Sequence, residues 1–198
     1  MVCIMAYGGS YMSAFLGLLL AQPADAQADA TLSKMAALYE DICLDAFPDA
    51  GKAEARILAL GAIELSPEVV KVTMRDDPAR GWGFEDGSAT IWLEFPPFYA
   101  CSVRWNMPDM GDLSPYRDAV EAYAKTNAGF APMDPMDVDQ GDIHIQLTGE
   151  ARDLSNGTKE TLFMVVQNIR NEERRAAGET GLVVRFVHQI MVPSAEAR

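Results

Sequence analysis

Apolar positions along this chain change their period from helical in the first third to alternating in the last. From Thr31 to Ala46 they fall at Leu32, Met35, Tyr39, Ile42 and Ala46, a stripe at helical spacing. Cys43 adjoins Ile42 and can share the buried side. Phe47-Pro48 ends this helix, because the residue before a proline is pushed out of the helical region. Asp49 to Gly61 reads as a second helix, buried through Ala53, Ile57 and Leu60, with Gly61 placed as its C-cap. Pro67 breaks the chain. Val69 to Met74 then reads as a short strand with Val70, Val72 and Met74 on one face. Asp76 to Ser88 is rich in Asp and Gly and reads as a loop, with Trp82 and Phe84 as an edge strand or a plug on the core.

Thr90–Phe95 and Ala100–Trp105 read as a strand pair joined by a Pro96-Pro97 corner, since two prolines remove two backbone donors. Trp92, Phe95, Phe98 and Tyr99 crowd this stretch, and the helical and sheet-forming halves are expected to meet there. Ser114-Pro115 opens the clearest helix, with Ser at N-cap, Pro at N1, and a stripe of Tyr116, Ala119, Val120, Tyr123 and Ala124. Phe130 to Asp142 reads as an acidic loop. Beyond it Ile143, Ile145 and Leu147 alternate with His144, Gln146 and Thr148. Asn156-Gly157 is a two-residue hairpin signal, which sets Leu147 opposite Val166 and Ala151 opposite Leu162. Ile145 and Leu147 then share a face with Leu162 and Met164, and His144, Gln146 and Glu150 lie with Phe163 and Val165. Leu182–Met191 completes a meander. The fold expected is α+β: an antiparallel sheet of about five strands, a hairpin plus a three-stranded meander, packed against two or three helices.

The N-terminus changes the domain picture. Ala14–Ala21 is an apolar run too short to span a bilayer, followed by small residues including Ala24-Asp25-Ala26 and Ala26-Gln27-Ala28. Residues 1–26 therefore read as a cleaved export signal and 27–198 as one globular domain. Residues 1–13 hold no Lys or Arg, whether the start is Met1 or Met12, so a non-cleaved anchor is the alternative. Cys3 would leave with the signal. Cys43 and Cys101 would remain, an even count suited to an oxidising compartment. They form either a disulfide or two separate buried thiols. A bridge would close a loop of nearly sixty residues and contribute on the order of 4 kcal/mol. The expected location is the periplasm or outside the cell, with no stable membrane insertion after cleavage.

A net charge of −13 without any basic run disfavours nucleic acid and anionic membranes as partners. C-x-x-C, G-x-S-x-G, S-x-x-K, P-loop and dinucleotide fingerprints are all absent. Asn156-Gly157-Thr158 fits a glycosylation sequon, but turn chemistry accounts for it. His144 and His188 lie in different strands and make no metal site by themselves. Asp137 and Asp139, in Asp134–Asp142, have the composition of a calcium loop without its spacing. Met107-x-x-Met110 and Met133-x-x-Met136 offer soft thioethers of the kind that hold copper, or serve as adaptable core filler.

The Cys43-Leu-x-x-Phe47-Pro-Asp49 helix end, the Ala-rich helix after it and the later Pro97-x-x-x-Cys101-x-Val103 strand resemble small exported proteobacterial proteins without a characterised function. The resemblance spans the middle third of the mature chain. It implies a periplasmic setting and a disulfide, and no activity. The expected function is a non-catalytic module that binds a protein or small-molecule partner, with Trp82, Phe84, Phe98 and Tyr99 as the candidate patch. No cofactor is expected. The alternatives are metal handling through Met107, Met110, Met133, Met136, Asp137 and Asp139, or an enzyme built around His144 with Glu150 or Asp142.

Overall fold

A computed structural model describes residues 24–191 other than 76, 97, 108, 109, 156 and 177–180. The predicted signal, up to residue 23, and Cys3 lie outside the described residues. Helix α1 (Ala24–Leu38) runs on as a π-helical segment, Tyr39–Leu44, that buries Tyr39, Ile42, Cys43 and Leu44. Helix α2 (Ala50–Ala59) starts on Asp49, whose side chain accepts from the Lys52 amide. It ends as expected at Gly61, in the left-handed region at φ 79°, with Gly61 N–H donating to Leu58 O and Ala62 N–H to Ile57 O.

A short strand β1 (Ile63–Glu64) leads into α3 (Pro67–Met74). Val69–Met74 is thus helical, not a strand. Ser66 caps the Val69 amide and Pro67 takes N1, so the start signal outweighs the β-branched content of Val69, Val70 and Val72. Next come β2 (Ala79–Gly83), β3 (Thr90–Glu94) and β4 (Ala100–Met107). β2 lies between β1 and β3 and is no edge strand. Helix α4 (Ser114–Thr126) has Ser114 as its first residue, with Leu113 in the cap position and Asp112 accepting from the Ser114 amide and hydroxyl. The acidic stretch expected to be loop contains β5 (Ala131–Pro132) and β6 (Met136–Gln140). Then follow β7 (Ile143–Asp153), β8 (Lys159–Ile169), a short α5 (Glu172–Ala176) and β9 (Leu182–Met191).

The fold is α+β. Among the described residues the sheet has nine strands, all pairs antiparallel, in the order β1-β2-β3-β4-β9-β8-β7-β5, with β6 beside β5 on the outer edge of β7. The five expected strands are present. The other four are short or carry charge and turn residues, which hides their period. The meander β7-β8-β9 also stands as expected, but its register is one residue off the expected one. Leu147 faces Val165, and Glu150 faces Leu162. The turn spans Leu154–Thr158, with Leu154 N–H donating to Thr158 O, and so is longer than a two-residue loop. A one-residue slip exchanges the faces of a strand. Gln146, Thr148 and Glu150 consequently lie with Leu162 and Met164 on the helix-covered face, while Ile145 and Leu147 lie with Phe163 and Val165 on the opposite one.

Helices α1, α2 and α4 and the π-helical segment contribute to one core with Trp82, Ile91, Leu93, Val103, Trp105, Leu162 and Phe186 from the sheet. Phe186 is its aromatic centre, stacked on Tyr116 with centroids 4.1 Å apart and edge-on to Trp105 at 4.7 Å. Cys43 and Cys101 are disulfide-bonded, with Cα atoms 5.3 Å apart, so the bridge ties the π-helical segment to β4.

The β7–β8 register generates a stability test. A Cβ at Gly149 would lie 2.3 Å from Leu162 O and 2.5 Å from Phe163 Cβ. G149A should destabilise by about 2 kcal/mol or more in urea titration, because backbone must move. G51A, on α2 with its nearest contact at 3.5 Å, should stabilise by roughly 0.5–1 kcal/mol. Equal tolerance of both would contradict the register.

Candidate functional site

Two polar arrangements and one open groove are built on this frame. The first polar arrangement is closed. In a helix continued with π-type bonds, Cys43 O would look to the amide four or five residues on. Phe47 N–H is spent on Ile42 O and Pro48 has no N–H. His188 of β9 fills the gap, with Nδ1 2.6 Å from Cys43 O and Nε2 2.8 Å from Glu160 Oε1. A carbonyl only accepts, so Nδ1 carries a proton. Glu160 Oε1 also accepts from Tyr123 of α4 at 2.8 Å, and Oε2 from Arg152 Nε at 2.6 Å and Nη2 at 2.5 Å. Burial alone would raise the Glu160 carboxyl. The bonds from His188, Tyr123 and Arg152 outweigh it and hold it at about 2. His188 Nε2 faces this carboxylate directly and completes the contact between β9 and β8. Glu160 is 3% exposed and His188 0%, so no substrate meets them. The network joins α4, the π-helical segment, β7, β8 and β9, and its role is architectural. His188 shares its face of β9 with Val184 and Phe186, and sequence reasoning passed over Glu160. An acidic residue in phase with Leu162, Met164 and Val166 was its signal.

The groove is open. Where α1 no longer covers the sheet, α4 stands over β7 and β8 and leaves a cavity of about 620 Å³ between Tyr116, Arg117 and Val120 on one side and Thr148, Glu150, Leu162 and Met164 on the other. A second cavity of about 500 Å³ shares Leu113, Thr148 and Met164 and continues past Met110, Met136, Val166 and Leu182. The two adjoin along a floor of Leu162, Met164 and Val166 from β8, with Gln146, Thr148 and Glu150 of β7 on one side and Arg117 and Glu121 beside the apolar residues of α4 on the other. Burial pushes the Tyr116 hydroxyl well up, and among the described residues it has no hydrogen-bond partner. It is a neutral donor available within the groove.

The candidate patch of Trp82, Phe84, Phe98 and Tyr99 is not a shared surface. Trp82 is fully buried, and Phe84 and Tyr99 pack against the core, Tyr99 with its hydroxyl donating to Pro48 O. Phe98 alone is exposed. The aromatics belong to strands whose faces the sequence did not order. The four methionines do not converge either. Met110 and Met136 line one cavity, Met107 is buried in the core, and Met133 lies outside that lining, its amide donating to Gly149 O. Asp137 and Asp139 sit on strand β6 and not in a calcium-type loop. Asp139 contacts His144 Nδ1 at 2.8 Å and accepts from Arg170 at 2.9 Å, and Asp137 accepts from Gln146 at 3.1 Å. Among the described residues no three His, Cys, Asp or Glu are grouped to hold a metal. His144 therefore pairs with Asp139, and through Nε2 with Asp137 at 3.3 Å, not with the expected Glu150 or Asp142, and it lines neither groove cavity.

Compared with protein-family models, curated proteins and solved structures, the chain matches none. No described helix is long and apolar enough to cross a membrane.

Removing the Glu160 charge tests the closed network. E160Q leaves Arg152 and His188 facing an amide and should cost about 3–5 kcal/mol in chemical denaturation. The folded carboxyl titrates near 2 against an ordinary 4.5, a depressed value. Its stabilisation is therefore complete above pH 4.5 and is lost as pH falls toward 2. Wild type should lose stability steeply across that window and E160Q less so. Parallel pH profiles would refute the assignment.

Proposed function

We propose that the protein is an exported, non-catalytic binding module whose α4–β7–β8 groove takes an elongated, largely apolar ligand. The groove itself carries this reading. Each of its two adjoining cavities falls in the size range of small-molecule sites, and apolar residues from α4 and β8 make up much of a lining that also carries Arg117, Glu121, Asp137, Thr148 and Glu150. Leu162, Met164 and Val166 supply contact area, Met110 and Met136 supply adaptable side chains, and the Tyr116 hydroxyl with Thr148 and Gln146 can orient a polar end. The titratable groups favour binding over catalysis. The strongest cluster is sealed in the Glu160 network, and both ring nitrogens of His144 are engaged by Asp139 and Asp137. Export is supported by the signal-like N-terminus and by a disulfide that an oxidising compartment would maintain.

A neutral probe tests the groove without engaging any cation. Dodecanol should bind saturably and raise the melting temperature. T148W, which fills the cavity from an exposed β7 position, should weaken binding by about tenfold while the protein remains folded. No stabilisation of wild type, or unchanged affinity in T148W, would overturn the reading. Export has its own test in the intact mass of protein recovered from the periplasm. The chain should begin near Gln27 or Asp29 and weigh about 2 Da less than after reduction. A full-length, reduced chain would overturn it.

A further inference from the structure

The opposite face of the sheet holds a cation that no group among the described residues hydrogen-bonds. Arg104 of β4 lies directly across from Arg185 of β9, two like charges in register. The carboxylate that serves them, Glu94, bonds to Arg185 at 2.5 Å, and Arg185 also reaches Ser102 Oγ at 3.2 Å. Among the described residues nothing hydrogen-bonds the Arg104 guanidinium. Its contact is the Trp92 ring, with the centroid 5.8 Å away. Burial and then the Arg185 charge lower Arg104 to about 10, so its charge is strained where it stands.

Arg104 also lines a cavity of about 380 Å³ enclosed on its far side by α3. The register brings two further groups there. Asn106 follows Arg104 on the same face of β4, and Gln167 of β8 lies one strand beyond, both paired with Val183 of β9. Among the described residues neither amide makes a side-chain hydrogen bond, and both line the cavity. Leu65, Val69 and Val183 supply its apolar wall.

We propose that this cavity is a binding site for a small organic monocarboxylate, held at Arg104 with Asn106 and Gln167 as flanking donors and its apolar body against Val69 and Val183. A planar guanidinium with two free edges matches a carboxylate in bidentate geometry. Arg104 and Arg185 face Glu94, which Asp77 also approaches, so the cluster holds at most one excess positive charge and suits a monoanion. A phosphate dianion would bring excess charge beside Glu94. The site lies across the sheet from the α4 groove and does not depend on it.

Benzoate is the probe. Titrated into the full chain in an amide-detected NMR experiment, it should shift the Asn106 and Gln167 side-chain resonances and the Trp92 indole saturably. R104Q should weaken binding at least tenfold and R104K less. V69W, which narrows the cavity from an exposed position on α3, should also weaken it and guards against misfolding of R104Q. T148W should leave benzoate binding unchanged. Three results would overturn the proposal. One is no saturable shift in the wild type. Another is benzoate binding that survives both R104Q and V69W. The third is inorganic phosphate binding more tightly than benzoate at the same resonances.

Discussion

The pairing of β9 between β4 and β8 is the constraint from which the rest of the molecule follows. The last strand of the chain enters the middle of the sheet and joins the hairpin built before α4 to the meander built after it. One face of β9 presents Val184, Phe186 and His188 to the helices, and the other presents Val183, Arg185 and Val187. Cys101 lies directly opposite His188 in this pairing, and Cys43 is at once the disulfide partner of Cys101 and the carbonyl that His188 bonds. The covalent bridge and the buried ion network thus fix the same helix end to two neighbouring strands, the bridge to β4 and the network to β9. Such redundancy is what a nonlocal pairing needs, because β9 closes a long loop and gains nothing until its neighbours are in place.

Much of this frame was legible in the residues. The α1 stripe, the α2 cap at Gly61, the proline corner, the start of α4 to within one residue and the three long strands all follow from local pattern, and each signal involves residues close in sequence. What the sequence hid depends on comparison between distant segments. The β7–β8 register turned on whether Asn156-Gly157 was a two-residue turn or part of a longer one, and a difference of one residue exchanged the two faces of β7. The α3 segment carries conflicting signals, valines for a strand and Ser66-Pro67 for a helix, and the capping chemistry prevailed. The site was less legible than the fold. Tyr116 and Met164 read as core residues, which they largely are, and nothing local shows that the helix layer stops beside them. Arg104 reads as an ordinary charged strand residue until its neighbour across the ladder proves to be another arginine.

The polar groups of the protein divide by what surrounds them. Glu160, His188, Arg152 and Tyr123 satisfy one another out of water, and such a set is costly to disturb because removing any one leaves the others buried without partners. Glu94 and Arg185 form a smaller version of the same solution, with burial raising the Glu94 carboxyl and the Arg185 charge opposing that rise. These sets hold the sheet together. They have no spare valence with which to meet a substrate.

Open cavities arise where this satisfaction stops. Along β7 the alternation puts Gln146, Thr148 and Glu150 on the helix side, at a point where α4 covers the sheet incompletely. An apolar strand face there would have drawn the helix down and closed the gap, whereas hydrated side chains resist burial and keep it open. The floor of the groove is nonetheless apolar, since β8 contributes Leu162, Met164 and Val166 in the same layer. A polar strand beside an apolar one beneath a single helix is a poor way to finish a core and a good way to leave a cleft with one wet wall. The register that defeated the local reading of the hairpin is therefore also what makes the groove, and the same slip sends Ile145 and Leu147 to join Phe163 and Val165 on the face that Arg104 shares.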